Sequence, residues 1–219
     1  METTLHRQLK ARFGPESGGR SEVAVGRYRV DATGPDGVLV EVQSQGLGAL
    51  RTKLHGLLAD HEVRVIKPVV IGRRVVRRAR PDGPDLSARL SPKRGTLIDV
   101  FDDLVGLSSV FPHVHLRVDV LAVEIDEVRI SRPRRPGYAV VDRRLRDVVT
   151  TVSLREAGDL WALLPGDWSE PFTTRDLAER LGRTAAFAQR VAYCLRLAGA
   201  VDTLGKDDRR YLYARTGTV

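Results

Sequence analysis

Residues 38 to 71 read VLVEVQSQGLGALRTKLHGLLADHEVRVIKPVVI, and this stretch limits the fold more than any other. Two β-branched runs flank a segment in which Leu47, Leu50, Leu54, Leu57 and Leu58 recur at helical spacing. A strand, a helix and a strand joined this closely predict two parallel neighbours with a right-handed crossover, and so an α/β fold. The first run alternates. Val38, Val40 and Val42 take one face, and Leu39, Glu41 and Gln43 take the other.

The run EVAVGRYRVDA ends near Asp31, and the turn TGPDG returns the chain toward Glu41. A hairpin here would place two carboxylates side by side at a sheet end, an arrangement suited to a divalent metal ion.

These residues resemble the PD-(D/E)XK nuclease superfamily, whose core is a helix, a strand ending in Asp, a strand carrying Glu-x-Lys, a helix and a strand. The resemblance covers roughly the first third of the chain through Asp31 and Glu41-Val42-Gln43. Val30 stands where the family often has Pro, and Gln43 where Lys is usual, although some restriction enzymes of the superfamily carry Gln there. The resemblance implies a restriction-endonuclease-like mixed sheet flanked by helices. It also implies a metal site formed by Asp31 and Glu41 for Mg²⁺ or Mn²⁺, with Glu2 or Glu22 as a third acid.

The composition is compatible with such a role. The chain has 219 residues, 36 Lys and Arg against 28 Asp and Glu, a net charge of +8 and a pI near 10.1. An anionic partner is expected, DNA first. No apolar run is long enough for a membrane span and no secretory leader is evident, so a cytoplasmic location is expected and a membrane is not. A single cysteine, Cys194, excludes an intramolecular disulfide.

Residues 3 to 13 predict an amphipathic helix with Leu5, Leu9 and Phe13 inward and Arg7, Lys10 and Arg12 turned away. His6 is either a proton carrier or phosphate contact at the site or a solvated helix histidine. Lys67 interrupts an apolar strand before Pro68. It reads either as a phosphate contact partly replacing the motif lysine or as an edge-strand lysine reaching water. Residues 72 to 94 hold eight basic and two acidic residues, predicting a strand or ribbon whose Arg73, Arg74, Arg77, Lys93 and Arg94, with Arg27, hold phosphates, or else a solvated face. Thr96 to Phe111 predicts one helix. An extended strand follows, with Val114, Leu116, Val118 and Val120 on its apolar face and His113 and His115 opposite, and 131 to 137 is a basic loop.

The last third reads as a helix capped by Thr173 or Thr174, a break at Gly182, a helix from about Thr184 to Ala198, and two strands around a turn at Gly205 to Asp208. That order resembles the winged-helix family over roughly 170 to 215. The resemblance implies DNA contact through Arg183, Arg190, Lys206 and Arg209, or a protein-contact role for the same fold.

The expected organisation is a nuclease-like domain at 1–165 and a winged helix at 166–219. The expected activity is metal-dependent DNA endonuclease, with Asp31, Glu41, Gln43 and Lys67 in the catalytic set. The alternative is a non-catalytic DNA-binding or regulatory protein on the same scaffold. A homodimer and a protein partner are the further partners this reading admits.

Overall fold

The structure, a computed structural model, describes residues 2–134, 137–207 and 209–217. Positions 135 and 136 of the basic loop and position 208 of the expected last turn lie outside the described residues. The chain forms two compact units: residues 1–44, 63–97 and 119–151 make one, and residues 45–62, 98–118 and 152–219 the other. The 165/166 boundary falls inside the second unit.

The first unit is built on a seven-stranded mixed sheet, so the α/β expectation holds. Helix α1 (Thr4–Phe13) precedes β1 (Arg20–Val25) and β2 (Tyr28–Thr33). The first of these runs was expected to be one strand, but Gly26, with φ of 55°, turns it into a hairpin. β3 (Leu39–Val42) pairs antiparallel with β2 and parallel with β4 (Val63–Arg78), with Glu41 opposite Val65. β5 (Asp85–Leu90) folds antiparallel onto the far half of β4, giving the ribbon expected around Val75 and Val76. β6 (Leu116–Ser131) and β7 (Tyr138–Leu154) follow β4 in the sheet.

Alternation decides which face is buried. Ala32, Val40, Val42 and Ile66, with Leu121, Val123 and Ile125 of β6, form an apolar face packed by Leu5 and Leu9 of α1. Each such leucine contributes about 1.5–3 kcal/mol relative to an exposed one. Thr3 caps α1 by accepting from the His6 amide at 3.3 Å. Asp142 of β7 then accepts from the Thr4 amide at 2.8 Å and its hydroxyl at 2.7 Å, fixing the start of α1 across the sheet.

Lys67 is 3% exposed, and β4 lies between β3 and β6. The edge-strand reading of Lys67 is thus corrected. Pro68 gives up one ladder donor inside the sheet instead of marking its margin. The strand expected from 113 begins only at Leu116, because the Leu116 amide turns back to the His113 carbonyl at 2.9 Å. Val114, expected on the apolar face, is 89% exposed.

In the second unit, α2 (Arg51–Leu57) follows a 3-10 turn over Leu47–Leu50. The single helix expected from Thr96 is instead three short pieces: a 3-10 turn over Leu97–Val100, α3 (Phe101–Leu104) and a turn over Val105–Leu107. The last of these turns makes a close backbone crossing. A Cβ on Gly106 would lie 2.5 Å from the Gly48 nitrogen, so residue 106 must be glycine to let the two turns meet.

Helices α4 (Thr174–Leu181) and α5 (Ala185–Ala198) have sharply defined ends. Thr173 and Asp176 form a reciprocal capping box, Gly182 takes φ of 59°, and Thr184 caps α5. Phe187, Ala188, Val191 and Leu195 are buried along α5, and Cys194 Sγ lies 3.8 Å from the Phe101 carbonyl. β8 (Val201–Asp207) and β9 (Arg210–Arg215) form an antiparallel hairpin, and Phe172 pairs with Tyr213 beside it. Gly205, expected in the turn, lies within β8 at a register shift.

Candidate active site

The ladder between β2 and β3 ends at Ala32 opposite Val40. Just beyond it the strands part, and each donates an amide to a carboxylate of the other. The Asp31 amide donates to Glu41 Oε1 at 3.2 Å, and the Val42 amide donates to Asp31 Oδ2 at 2.9 Å. Backbone donors left by the parting strands are thus satisfied by the two acids expected to meet there. Glu41 is buried at 4% exposure.

Helix α1 adds positive charge to this corner. His6 Nε2 lies 3.5 Å from Asp31 Oδ1 and 3.6 Å from Glu2 Oε1, so His6 faces the acids. Lys10 Nζ lies 3.8 Å from Asp31 Oδ1, 3.4 Å from Glu2 and 2.6 Å from Glu22. This corrects the expectation that Lys10 turns away. His6 and Lys10 are four residues apart and so share a helix face, a spacing visible in the sequence. Arg29 also pairs with Glu22. Burial pushes the Asp31 carboxyl up, but the His6 hydrogen bond, the Val42 amide and the charges of His6 and Lys10 outweigh it and hold the group below its ordinary 3.8.

Glu41 and Val65 are in register, so the two-residue period puts Gln43, Val65 and Lys67 on the Glu41 face. The Gln43 amide continues the ladder by donating to the Ile66 carbonyl at 2.9 Å. Ser44 Oγ, the next side chain, is shielded from solvent without a hydrogen-bond partner among the described residues.

As a donor set, two carboxylates fit Mg²⁺ or Mn²⁺, hard cations that take one or two protein carboxylates and fill their remaining positions with water or phosphate oxygen. Among the described residues no group of three or more His, Cys, Asp or Glu surrounds a common point. Glu2 and Glu22 instead gather around Lys10.

The arginines expected to hold phosphate divide into two sets. Arg74 pairs with Asp126 through Nε at 2.8 Å and Nη2 at 2.6 Å, and Arg73 lies 3.5 Å from Glu127. Arg183 reaches Asp99 and Arg190 reaches Asp102, both at 2.5 Å. Arg27, Arg77, Lys93, Arg94, Lys206 and Arg209 have no acidic partner among the described residues. Arg27 stacks over Tyr28 at 5.0 Å, and Lys206 over Tyr211 at 5.2 Å. His113 Nδ1 accepts from the His115 amide at 3.1 Å, and His115 Nδ1 lies 3.0 Å from the Leu58 carbonyl, which gives both rings structural partners.

Residues 3–155 match the family described as "Domain of unknown function (DUF8091)". An "Uncharacterized protein" of Treponema pallidum (strain Nichols) is 33% identical over 219 residues, covering 98% of this chain and 85% of that protein. No solved structure matches. With most of its length matched by the family model and a relative this similar along nearly the whole chain, the protein belongs to the DUF8091 family.

Proposed function

We propose that this protein is a metal-dependent DNA endonuclease of the PD-(D/E)XK type, with its chemistry at the corner where β2 and β3 part. The observation that carries this reading is the meeting of Asp31 and Glu41 at that corner, each bonded to the other's strand. Asp31 and Glu41 would hold Mg²⁺ or Mn²⁺, which when bound polarises a phosphate and activates a water.

The chain's own residues have distinct tasks. Lys10 and His6 offset the repulsion that two carboxylates exert on an entering phosphate, and His6 is placed to carry a proton beside Asp31. Gln43 and Lys67 share the Glu41 face and would orient the attacking water or the phosphate. Lys10 brings an ammonium to Asp31 where Gln43 cannot supply one.

Helices α4 and α5 followed by the β8–β9 hairpin have the order of a winged helix, which supports DNA contact by this part of the chain in a reading that places a nuclease domain at 1–165 and a winged helix at 166–219. Of the phosphate-holding residues, Arg27, Arg77, Lys93, Arg94, Lys206 and Arg209 are favoured because none has an acidic partner among the described residues. Cytoplasmic location, homodimerisation for cutting both strands and a restraining protein partner belong to the same proposal.

The second reading, a non-catalytic DNA-binding protein on this scaffold, is favoured by Gln43 in place of Lys. Purified protein incubated with plasmid and branched DNA in Mg²⁺, in Mn²⁺ and in EDTA separates the two. Cleavage in either metal and none in EDTA is expected. Binding without cleavage in all three favours the scaffold.

A further inference from the structure

The second unit contains a trough of about 810 Å³ between α4, α5 and the β8–β9 hairpin. Its lining includes the small side chains Ala178, Ala185 and Ala192 together with Arg196, Arg209, Arg210, Tyr193 and Tyr211. The size lies within the roughly 300–1,000 Å³ of ligand-binding cavities. Tyr211 is 54% exposed and Tyr193 39%, so both rings are accessible.

Charge is uneven across the lining. Arg175 and Glu179 neutralise each other at 2.7 Å. Arg196, Arg209 and Arg210 have no acidic partner among the described residues, so the described lining carries an excess of positive charge beside accessible aromatic rings. The opposite side of α5 is different. Its Arg190, and Arg183 just before the helix, are held by Asp102 and Asp99.

We propose that this trough binds a single-stranded stretch of nucleic acid, with phosphates held by Arg196, Arg209 and Arg210 and a base stacked on Tyr211. The chemistry selects this ligand. An extended strand alternates planar bases with phosphates at a spacing that separate rings and guanidiniums can follow, and aromatic rings beside a cationic groove are the general means of holding one. A duplex offers its phosphates on a convex cylinder with the bases stacked away, which a concave trough with rings in its lining does not match. An acidic peptide would use the arginines and leave the tyrosines idle. This assignment rests on the DNA contact proposed for this part of the chain and is independent of the chemistry proposed for Asp31 and Glu41.

The test uses the full chain in EDTA and measures fluorescence anisotropy with a labelled 15-mer of oligothymidine, a duplex of equal length and an oligoglutamate peptide. Tyr211→Ala should weaken single-strand binding on the order of tenfold, with Tyr211→Phe restoring it. Arg209→Ala with Arg210→Ala should lower the slope of log affinity against log salt by about 1.4, two phosphates at roughly 0.7 each. Duplex binding should be unchanged in Tyr211→Ala. Wild-type affinity for the strand retained by both variants, loss confined to the duplex, or equal binding of the peptide would each overturn the assignment. Because EDTA stops any metal-dependent cleavage, a failure here leaves the Asp31 and Glu41 reading standing, and the reverse also holds.

Discussion

The sheet and the trough use arginine in opposite ways. On the sheet, the acids of β6 are met by basic side chains: Asp119 by Arg64 at 2.6 Å, Asp126 by Arg74 and Glu127 by Arg73, all of β4, and Glu127 also by Arg129 of β6 itself. In the trough, Arg196, Arg209 and Arg210 have no such neighbours among the described residues. The net charge of +8 therefore does not by itself locate an anion site. What locates it is the set of cations that the fold leaves uncompensated, because a guanidinium already bonded to a carboxylate must lose that bond before it can hold a phosphate.

Removing an acid from the sheet should break this contrast most severely. Asp119 is fully buried, so Asp119→Ala leaves the Arg64 guanidinium without its principal partner and should cost on the order of 3 kcal/mol in urea unfolding. Arg209→Ala, at an exposed turn, should change stability by less than about 0.5 kcal/mol. A similar loss in both would erase the distinction between structural and available arginines.

Arg74→Ala should fall between these, since the pair is bidentate but Arg74 is 41% exposed and solvent screens it. Its effect on the salt slope of DNA binding should be smaller than that of Arg77→Ala, whose guanidinium reaches Ser131 Oγ at 3.5 Å and no carboxylate among the described residues. Equal slopes would show that the carboxylate does not hold Arg74 back from phosphate.

A smaller effect concerns pH. The Asp31 carboxyl is held below 3.8 in the folded protein, so its ionisation stabilises the fold above that value. The contribution disappears as the pH falls through the folded value. Asp31→Asn should accordingly flatten the acid limb of stability against pH in thermal melts while leaving its neutral region nearly level. An unaltered acid limb would show that His6, Lys10 and the Val42 amide do not favour the charged form. The smallest effect is at Cys194, whose thiol is pushed up to about 12 chiefly by burial, with Asp102 adding to it. It should react with a disulfide reagent only at the rate of unfolding, and rapid labelling of the native protein would mean that α5 opens locally.

Local rules made much of the second unit readable. Thr173 with Asp176, Gly182 and Thr184 mark helix ends by chemistry that operates within a few residues, and these ends appear within a residue of where the sequence puts them. The alternation around Glu41 and the short turn after Asp31 likewise placed the two acids together. What stayed hidden depends on distant partners. Nothing near Gly106 announces that Gly48 will cross it, and nothing near Arg190 announces Asp102, 88 residues away. The interleaving of the units has the same origin, since residues 45–62 and 98–118 join 152–219 through packing that no window of sequence contains. The place of Lys10 is legible in its four-residue spacing from His6, while its charge alone suggests solvent.

The central claim is that Asp31 and Glu41 perform chemistry, and cleavage by matched single variants tests it most directly. Wild type, Asp31→Ala and Glu41→Ala would be compared for loss of supercoiled plasmid and of a branched substrate in Mg²⁺ and in Mn²⁺, with circular dichroism establishing that all three are folded. Both variants should lose cleavage by at least about a hundredfold, on the scale of removing a group that acts on the transition state. DNA binding in EDTA should be retained or strengthened, since each change removes a negative charge from the path of a phosphate. Folded variants that cut as fast as wild type, or a wild type that cuts neither substrate in either metal, would contradict the claim.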